Sequence, residues 1–381
     1  MENLKITKTE QSRMSGIDYS NLGFGKFFSD HMFVVDYADG AWGEPRIDPY
    51  GPMDIEPANC TLHYGQTIFE GMKAYRSVKG GVNLFRPYMN AKRMNNSAVA
   101  VCIPTIDEEI FVDGIRELIA IDNYFIPRER GHSLYLRPFA FGTGNFLGVQ
   151  ASSRYRFMII TSPVASYYPE GLNPVRIKVD EEHIRAVRGG LGQAKTAANY
   201  AASLFAGTQA KKEGFAQVLF LEAVTRDFVD EIGAMNIIFV IDDELITPPL
   251  TQGSILPGIT RDSVLHLARH WGLKVSERSI GIREIHEAHK SGKLQEAFGT
   301  GTAAVISPVG EFVYRGESMV VNDRNIGPLA QKFYDTVTGI QYGELEDSFG
   351  WIENISIEAE VSASSFVFPN SAPRTIGALF V

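Results

Sequence analysis

The sequence predicts a mixed α/β (α+β) fold in two domains, and three observations lead there. Runs of apolar, β-branched and aromatic residues with strand character alternate with runs of helical spacing. A segment with two prolines and a glycine but little periodicity, ASYYPEGLNP (165–174), interrupts that order. The 381 residues also exceed the roughly 150 that one domain usually needs. The expected division is a smaller N-terminal domain over 1–164, a linker over 165–174 and a larger C-terminal domain over 175–381.

The elements follow in order. Residues 1–25 are polar with Gly and Ser, and are expected to form a loose arm. MFVVDY (32–37) predicts a strand, and HYGQTIFEGMKAYR (63–76) a loop, a short helix and a strand. Ile110, Phe111, Ile115, Leu118 and Ile119 recur at helical spacing within Asp107–Ile121. SLYLRPFAFG (133–142) and YRFMIITSPV (155–164) predict strands on their aromatic and β-branched content. Beyond the linker come a strand at Val175–Val179, a Gly-rich loop at Gly189–Gly192 and a helix over Asn199–Lys212. QVLFLE (217–222) and AMNIIFVID (234–242) predict further strands. A helix starting near Thr260 places Val264, Leu265, Leu267, Ala268 and Trp271 on one face and stops at Gly272.

Composition removes several classes of function. With 44% hydrophobic and 21% charged residues, the chain is an ordinary soluble type able to bury a large core without a disulfide or metal staple. Cys60 and Cys102 form no CxxC pair, so they are expected as reduced thiols. A net charge of −9 argues against nucleic acid as a partner, because phosphate backbones require a basic face. It leaves open a local pocket for a small anion. The N-terminus MENLKITKTEQSRM lacks the apolar core of a signal peptide, and no apolar run approaches the roughly 20 residues that span a bilayer. A cytoplasmic location without membrane contact is expected.

Three motifs fall short of their chemistry. GGLGQAKT (189–196) approaches a P-loop, but Ala194 replaces the second glycine and the preceding EEHIRAVR is charged where a buried strand is required. GTGTAA (299–304) fits a loose dinucleotide pattern, yet it runs on into a strand-like AAVISPV where a helix should open. His266 and His270 are spaced for a metal, but HLARH has no acid between them, and HEAH (286–289) has the wrong spacing, so no metal is expected.

Another set of segments points to one ligand. Lys195 is surrounded by Gly189, Gly190, Gly192, Ala194, Ala197 and Ala198, which leave room for a planar group; locally it also reads as an ordinary loop lysine. TRDFVDEIGAMNIIF (225–239) puts acids just before a buried strand, where a carboxylate either faces a protonated ring nitrogen or caps a surface turn. In SILPGITRDSVLHLAR (254–269), Gly258–Thr260 open a helix whose free N–H groups suit a phosphate, or are simply capped by Thr260. FGTGTAAV (298–305) adds a small-residue loop that lets an anion approach closely. Together these fit a planar, phosphorylated, cationic ring.

With these blocks the chain resembles the branched-chain amino acid aminotransferases of fold-type IV, pyridoxal-phosphate enzymes, and within them a longer, eukaryote-like subgroup. The likeness runs from about Gly23 to Val321 through GFGKFFSDHM, HYGQTIFEGMKAYR, RPYMNAKRMNNSAV, SLYLRPFAFG, SPVASYYPEGLNPV, GGLGQAKTAANYAASLF, DEIGAMNIIF, LPGITRDSVL and FGTGTAAVISPV. The resemblance implies a cofactor, pyridoxal 5′-phosphate, at the interface of the two domains. It makes Lys195 the Schiff-base lysine, Tyr200 the partner of the phenolic oxygen and Glu231 the partner of the pyridine nitrogen. Arg93, Ile259, Thr260 and Thr302 would form the phosphate cup. Phe24, Tyr64, Phe69, Tyr135 and Ala303 would line the substrate pocket, with Arg137 beside it to hold carboxylates. Val149 and Tyr167 would close the site of a neighbouring subunit, in a homodimer.

Two features depart from relatives. Ala304 and Ser307 stand where some members carry a redox-active CxxC, so thiol regulation there is not expected. Ala234 replaces a hydroxyl residue near the cofactor. The implied reaction moves the amino group of leucine, isoleucine or valine to 2-oxoglutarate. A methylene in an apolar pocket is worth only roughly 1–3 kcal/mol, so the three donors should overlap. Within the same fold, a D-amino acid aminotransferase or an aminodeoxychorismate lyase is the alternative, and both families are shorter.

Overall fold

In a computed structural model, which describes residues 4–166 and 172–357, the strand-forming runs assemble into two sheets. The first has the order Lys5–Ile6, Arg46–Pro49, His31–Ala38, Tyr155–Val164, Ser133–Gly142, Met72–Arg76, Val82–Phe85 and Ile352–Ile355, with Thr67–Phe69 added beside Ser133–Gly142. Ser133–Gly142 and Tyr155–Val164 pair antiparallel along their whole length, as their aromatic and β-branched content favours. The second sheet runs Val229–Ile232, Gln217–Leu221, Val175–Asp180, Val305–Tyr314, Leu294–Gly301, Asn236–Ile241, Glu244–Thr247 and Lys274–Glu277. Val175–Asp180 lies parallel to both of its neighbours, so this sheet mixes directions.

Seven α-helices pack around the sheets among the described residues: α1 Cys60–Tyr64, α2 Pro87–Ala100, α3 Glu108–Asp122, α4 Ala197–Lys212, α5 Ile259–His270, α6 Ile282–Lys290 and α7 Pro328–Tyr342. α3 starts at Asp107, whose carboxylate accepts from Glu109 N, and buries Phe111, Ile115, Leu118 and Ile119 against Phe33 and Phe157 of the first sheet. Gly114 sits against the Phe33 ring, where a Cβ would come within 2.8 Å. α5 and α7 cover the second sheet with Val264, Leu265, Phe333 and Val337, and Phe85 and Trp351 join that core from the first-sheet side.

The mixed α/β architecture is the one expected; several details differ. The arm after residue 3 is tethered. Lys5–Ile6 pairs with Arg46–Ile47, Thr9 N donates to His31 Nε2 at 3.0 Å and Arg13 N donates to Asp30 at 2.6 Å. In 63–76 the helix comes first, ending at Tyr64, and two short strands follow; Gly65 takes a φ of +63° to stop the helix. α4 begins at Ala197, two residues early. Of the expected linker, 167–171 lie outside the described residues. The last described strand, Ile352–Ile355, pairs with Val82–Phe85 of the first sheet.

Candidate active site

The Gly-rich loop before α4 needs its glycines for close approach: a Cβ on Gly192 would collide with the carbonyl of Ser254. The loop ends at Lys195, whose backbone is fastened to the first sheet and α2. Lys195 N donates to Ser97 Oγ at 2.8 Å, its carbonyl accepts from Phe69 N at 3.0 Å, and Thr196 Oγ1 donates to Thr67 O at 2.7 Å. The chain then turns into α4, which brings Tyr200 round in its first turn. Lys195 Nζ donates to the Tyr200 hydroxyl at 2.7 Å and lies 4.9 Å from the centre of the Phe69 ring.

Glu231 occupies strand Val229–Ile232 and is fully enclosed. Its Oε1 accepts from Leu256 N at 2.9 Å and from Asn236 Nδ2 at 3.0 Å; Oε2 lies 2.9 Å from Arg185 Nε. Burial pushes the Glu231 carboxyl up, while Arg185 works against that shift. The neighbouring Asp230 is pushed up to about 6, chiefly by burial, and accepts from Ser254 Oγ at 3.0 Å. A pocket open to solvent, with about 320 Å³ of empty space, is lined by Tyr200, Ser203, Arg185, Glu231 and Leu256.

Gly258 is the N-cap of α5 and no side chain caps that end, so the first N–H groups, at Ile259 and Thr260, have no helical acceptor. Arg93 on α2 reaches this turn, with Nη1 donating to Pro257 O at 3.0 Å. Its charge is already matched: Nε and Nη2 donate to the two oxygens of Glu70, each at 2.8 Å. Thr302 and Ala303 form the turn between Leu294–Gly301 and Val305–Tyr314, and Ala303 O accepts from Lys73 Nζ at 2.7 Å. Thr300 Oγ1, just before that turn, is buried with no hydrogen-bond partner among the described residues.

The aromatic side of the site is built on strand Ser133–Gly142. Arg137 stands 4.6 Å from the Phe69 ring centre, its Nη2 donates to the Tyr135 hydroxyl at 3.3 Å, and its Nε is buried without a hydrogen-bond partner among the described residues. Phe24 packs edge-on against Tyr135 at 4.9 Å. Tyr135 lies over Gly71, where any side chain would strike its hydroxyl. Tyr64 at the end of α1 donates to Leu147 O, and Val149 on the same loop is 85% exposed. Tyr167 lies outside the described residues.

Lys195, Tyr200, Phe69, Arg137, Tyr135 and Phe24 thus form one connected cluster. Glu231, Arg93, Ile259, Thr260, Thr302 and Ala303 sit on elements that meet it from the second sheet and α2. Sequence reasoning missed Arg185, Glu70, Lys73, Ser97 and Asn236. Glu70 and Lys73 did carry a signal, as charges inside the apolar run TIFEGMKAY. Arg185 had none, because EEHIRAVR looks like a solvated stretch.

A planar, cationic, phosphorylated ring fits these residues. A primary amine stands beside a phenol at one edge, and a buried carboxylate held by Arg185, Asn236 and Leu256 N stands on the facing sheet. An uncapped helix start adjoins an arginine. Such a set suits a phosphorylated ring cofactor that carries an aldehyde. The pattern of the family described as amino-transferase class IV matches residues 67–312. Branched-chain-amino-acid aminotransferase 2 of Bacillus subtilis (strain 168) is 52% identical over 358 residues, covering 94% of this chain and 98% of the relative. The solved branched-chain amino acid aminotransferase of Escherichia coli has a TM-score of 0.71 at 27% identity, covering 86% of this chain and 99% of that one. The branched-chain aminotransferase of the thermophilic archaeon Thermoproteus uzoniensis, solved with norvaline, has a TM-score of 0.71 at 26% identity, covering 85% and 99%. The chain belongs to the class IV aminotransferases, on the branch of the branched-chain amino acid enzymes.

Proposed function

We propose that this protein moves the amino group of L-leucine, L-isoleucine or L-valine reversibly to 2-oxoglutarate, yielding the branched-chain 2-oxo acid and L-glutamate. The observation that carries the reading is the Lys195–Tyr200 pair, 2.7 Å apart, beside an aromatic pocket that holds the guanidinium of Arg137. Pyridoxal phosphate, when bound, supplies an aldehyde carbon for the substrate's nitrogen and a ring that accepts the electrons left on its α-carbon. Lys195 Nζ would hold the cofactor through its amine and would serve as the base for the substrate's α-proton. Tyr200 orients the amine and would help to hold the cofactor beside it. Glu231, held by Arg185, Asn236 and Leu256 N, would be the acidic partner of the ring nitrogen. Arg93, Ile259, Thr260 and Thr302 hold the phosphate.

Phe24, Phe69, Tyr135 and Ala303 exclude water around the donor's apolar side chain, with Tyr64. Arg137, with a buried Nε that lacks a partner among the described residues, takes the distal carboxylate of glutamate or 2-oxoglutarate. The same reading has a domain boundary at the 165–174 linker, a cytoplasmic location and a homodimer in which Val149 and Tyr167 reach the partner's site. Among the described residues, no helix is long and apolar enough to cross a membrane.

The test is a donor panel on the holoenzyme, with L-leucine, D-alanine and aminodeoxychorismate, each with 2-oxoglutarate where an acceptor is needed. Leucine turnover that Lys195→Ala abolishes is expected, and hydride reduction followed by peptide mapping should fix the cofactor's mass on Lys195. Turnover of D-alanine or aminodeoxychorismate in place of leucine would move the protein to another class IV activity.

A further inference from the structure

Strand Val229–Ile232 carries two carboxylates in succession, and both are buried: Asp230 is 1% exposed and Glu231 3%. In a regular strand, successive side chains leave by opposite faces. Here the ladder slips. Leu219 pairs with Ile232 and Leu221 with Val229, so Asp230 and Glu231 together stand opposite Phe220, as in a β-bulge. Both carboxylates meet the same segment of chain. Asp230 Oδ1 accepts from Ser254 Oγ at 3.0 Å, and Glu231 Oε1 accepts from Leu256 N at 2.9 Å.

Their charges are unevenly matched. Arg185 Nε lies 2.9 Å from Glu231 Oε2, and Arg185 Nη2 donates to the carbonyl of Ser254. Among the described residues, Asp230 belongs to no ion pair and is held by the Ser254 hydroxyl. Two buried carboxylates therefore share one guanidinium. Burial pushes both carboxyls up; Asp230 adds to the shift of Glu231, and Glu222 to that of Asp230. Lys195 pulls on Glu231 more weakly than Arg185 does. Buried charge of this kind is unfavourable unless a further cation joins it. The pocket that Glu231 and Arg185 line is where such a cation has room.

We propose that Asp230 is a positioning residue for the charge of the bound cofactor: acting through the Arg185–Glu231 pair, it supplies the unmatched negative charge that makes this pocket prefer a ring with a protonated nitrogen. The inference rests on the aminotransferase reading above. It divides the work between the two carboxylates. Glu231 faces the ring but is already matched by Arg185, and Asp230 leaves the cluster one positive charge short.

The experiment strips the full chain of cofactor and reloads it with pyridoxal 5′-phosphate or with its deaza analogue, in which C–H replaces the ring nitrogen. Wild type is expected to bind the natural form more tightly. Asp230→Asn, which keeps the shape and loses the charge, should weaken that form about tenfold and the analogue by less than about twofold. In holoenzyme loaded with cofactor labelled at the ring nitrogen and followed by NMR, that nitrogen should lose its proton about one pH unit lower in D230N. Equal weakening of both forms marks a merely structural role and overturns the proposal. Unchanged binding of both forms overturns it too, as does a ring nitrogen that titrates as in wild type. Should D230N fail to fold, Asp230→Ser, which keeps a hydroxyl partner for Ser254, carries the same test with the same expected and refuting results. A wild-type chain that holds pyridoxal phosphate without preferring it to the analogue sinks the role of Asp230 alone. One that takes up neither form and does not transaminate leucine sinks the aminotransferase reading, and this role with it.

Discussion

Glu70 and Arg93 meet through two parallel hydrogen bonds in a place almost without water, their side chains 0% and 7% exposed. Burial alone would push the Glu70 carboxyl up, but Arg93, with help from Lys195 and Asn90, holds it below the usual carboxylate range. A depressed folded-state value contributes stability above the unfolded value of 4.5, and that contribution is lost as pH falls through the folded one. Glu70→Gln leaves Arg93 charged and unmatched, so a loss of about 3–5 kcal/mol is expected at pH 7. Urea unfolding at pH 7 and near pH 4 checks this: the gap between wild type and E70Q should narrow in acid. The same pair fixes Arg93 beside the start of α5, where the proposed function places a phosphate. With its charge balanced in advance, it adds a fixed donor array to the site.

At the scale of elements, the start of α5 is the part most sensitive to one atom. Gly258 has an ordinary φ of −72°, so alanine is tolerated by the backbone there. Its Cβ would nevertheless collide with Oδ1 of Asn236, whose Nδ2 donates to Glu231 and to Leu256 O. Gly258→Ala is expected to destabilise the fold by about 1–3 kcal/mol and to weaken cofactor binding, measured by thermal unfolding and by absorbance titration. Unchanged cofactor affinity would mean that Asn236 has no part in seating Glu231. α5 was legible because Val264, Leu265, Leu267 and Ala268 repeat at helical spacing and all face the core. Ser133–Gly142 and Tyr155–Val164 were legible from their aromatic and β-branched content. Arg185 was not, since one inward-facing charge in a non-periodic loop leaves no pattern. The arm was misjudged because its anchors, such as Thr9 N on His31 Nε2, join backbone N–H groups to distant side chains, which composition does not report.

For the whole molecule, the site exists where the two sheets lean on each other. Ser97, Thr67 and Phe69 fix the backbone of Lys195 from one side, and Glu231 and α5 stand on the other. Further clasps lie outside the site: Arg86 Nη1 meets Asp262 and Ser263 Oγ at 2.7 Å each, and Arg130 Nε donates to Glu344 at 2.7 Å. Trp351 stacks on Phe349 at 4.4 Å, lies under Arg86 at 5.2 Å, and accepts through its carbonyl from Arg86 N. A chain ended at Gly350 loses Trp351 and the strand after it. Such a chain is expected to lose about 3–5 kcal/mol of stability, seen in urea unfolding followed by circular dichroism. Activity should fall with it, since residues from both sheets make up the site.

The return of Ile352–Ile355 to Val82–Phe85 has a consequence during synthesis. A ribosome finishes the body of the first sheet early, yet the strand that covers its far edge emerges only after the whole second sheet has been made. Until then the nascent protein carries an open, hydrogen-bonding border on which a stranger's strand could add. Translation speed and chaperone supply, more than the stability of the finished enzyme, should therefore govern how much of it a cell recovers in soluble form.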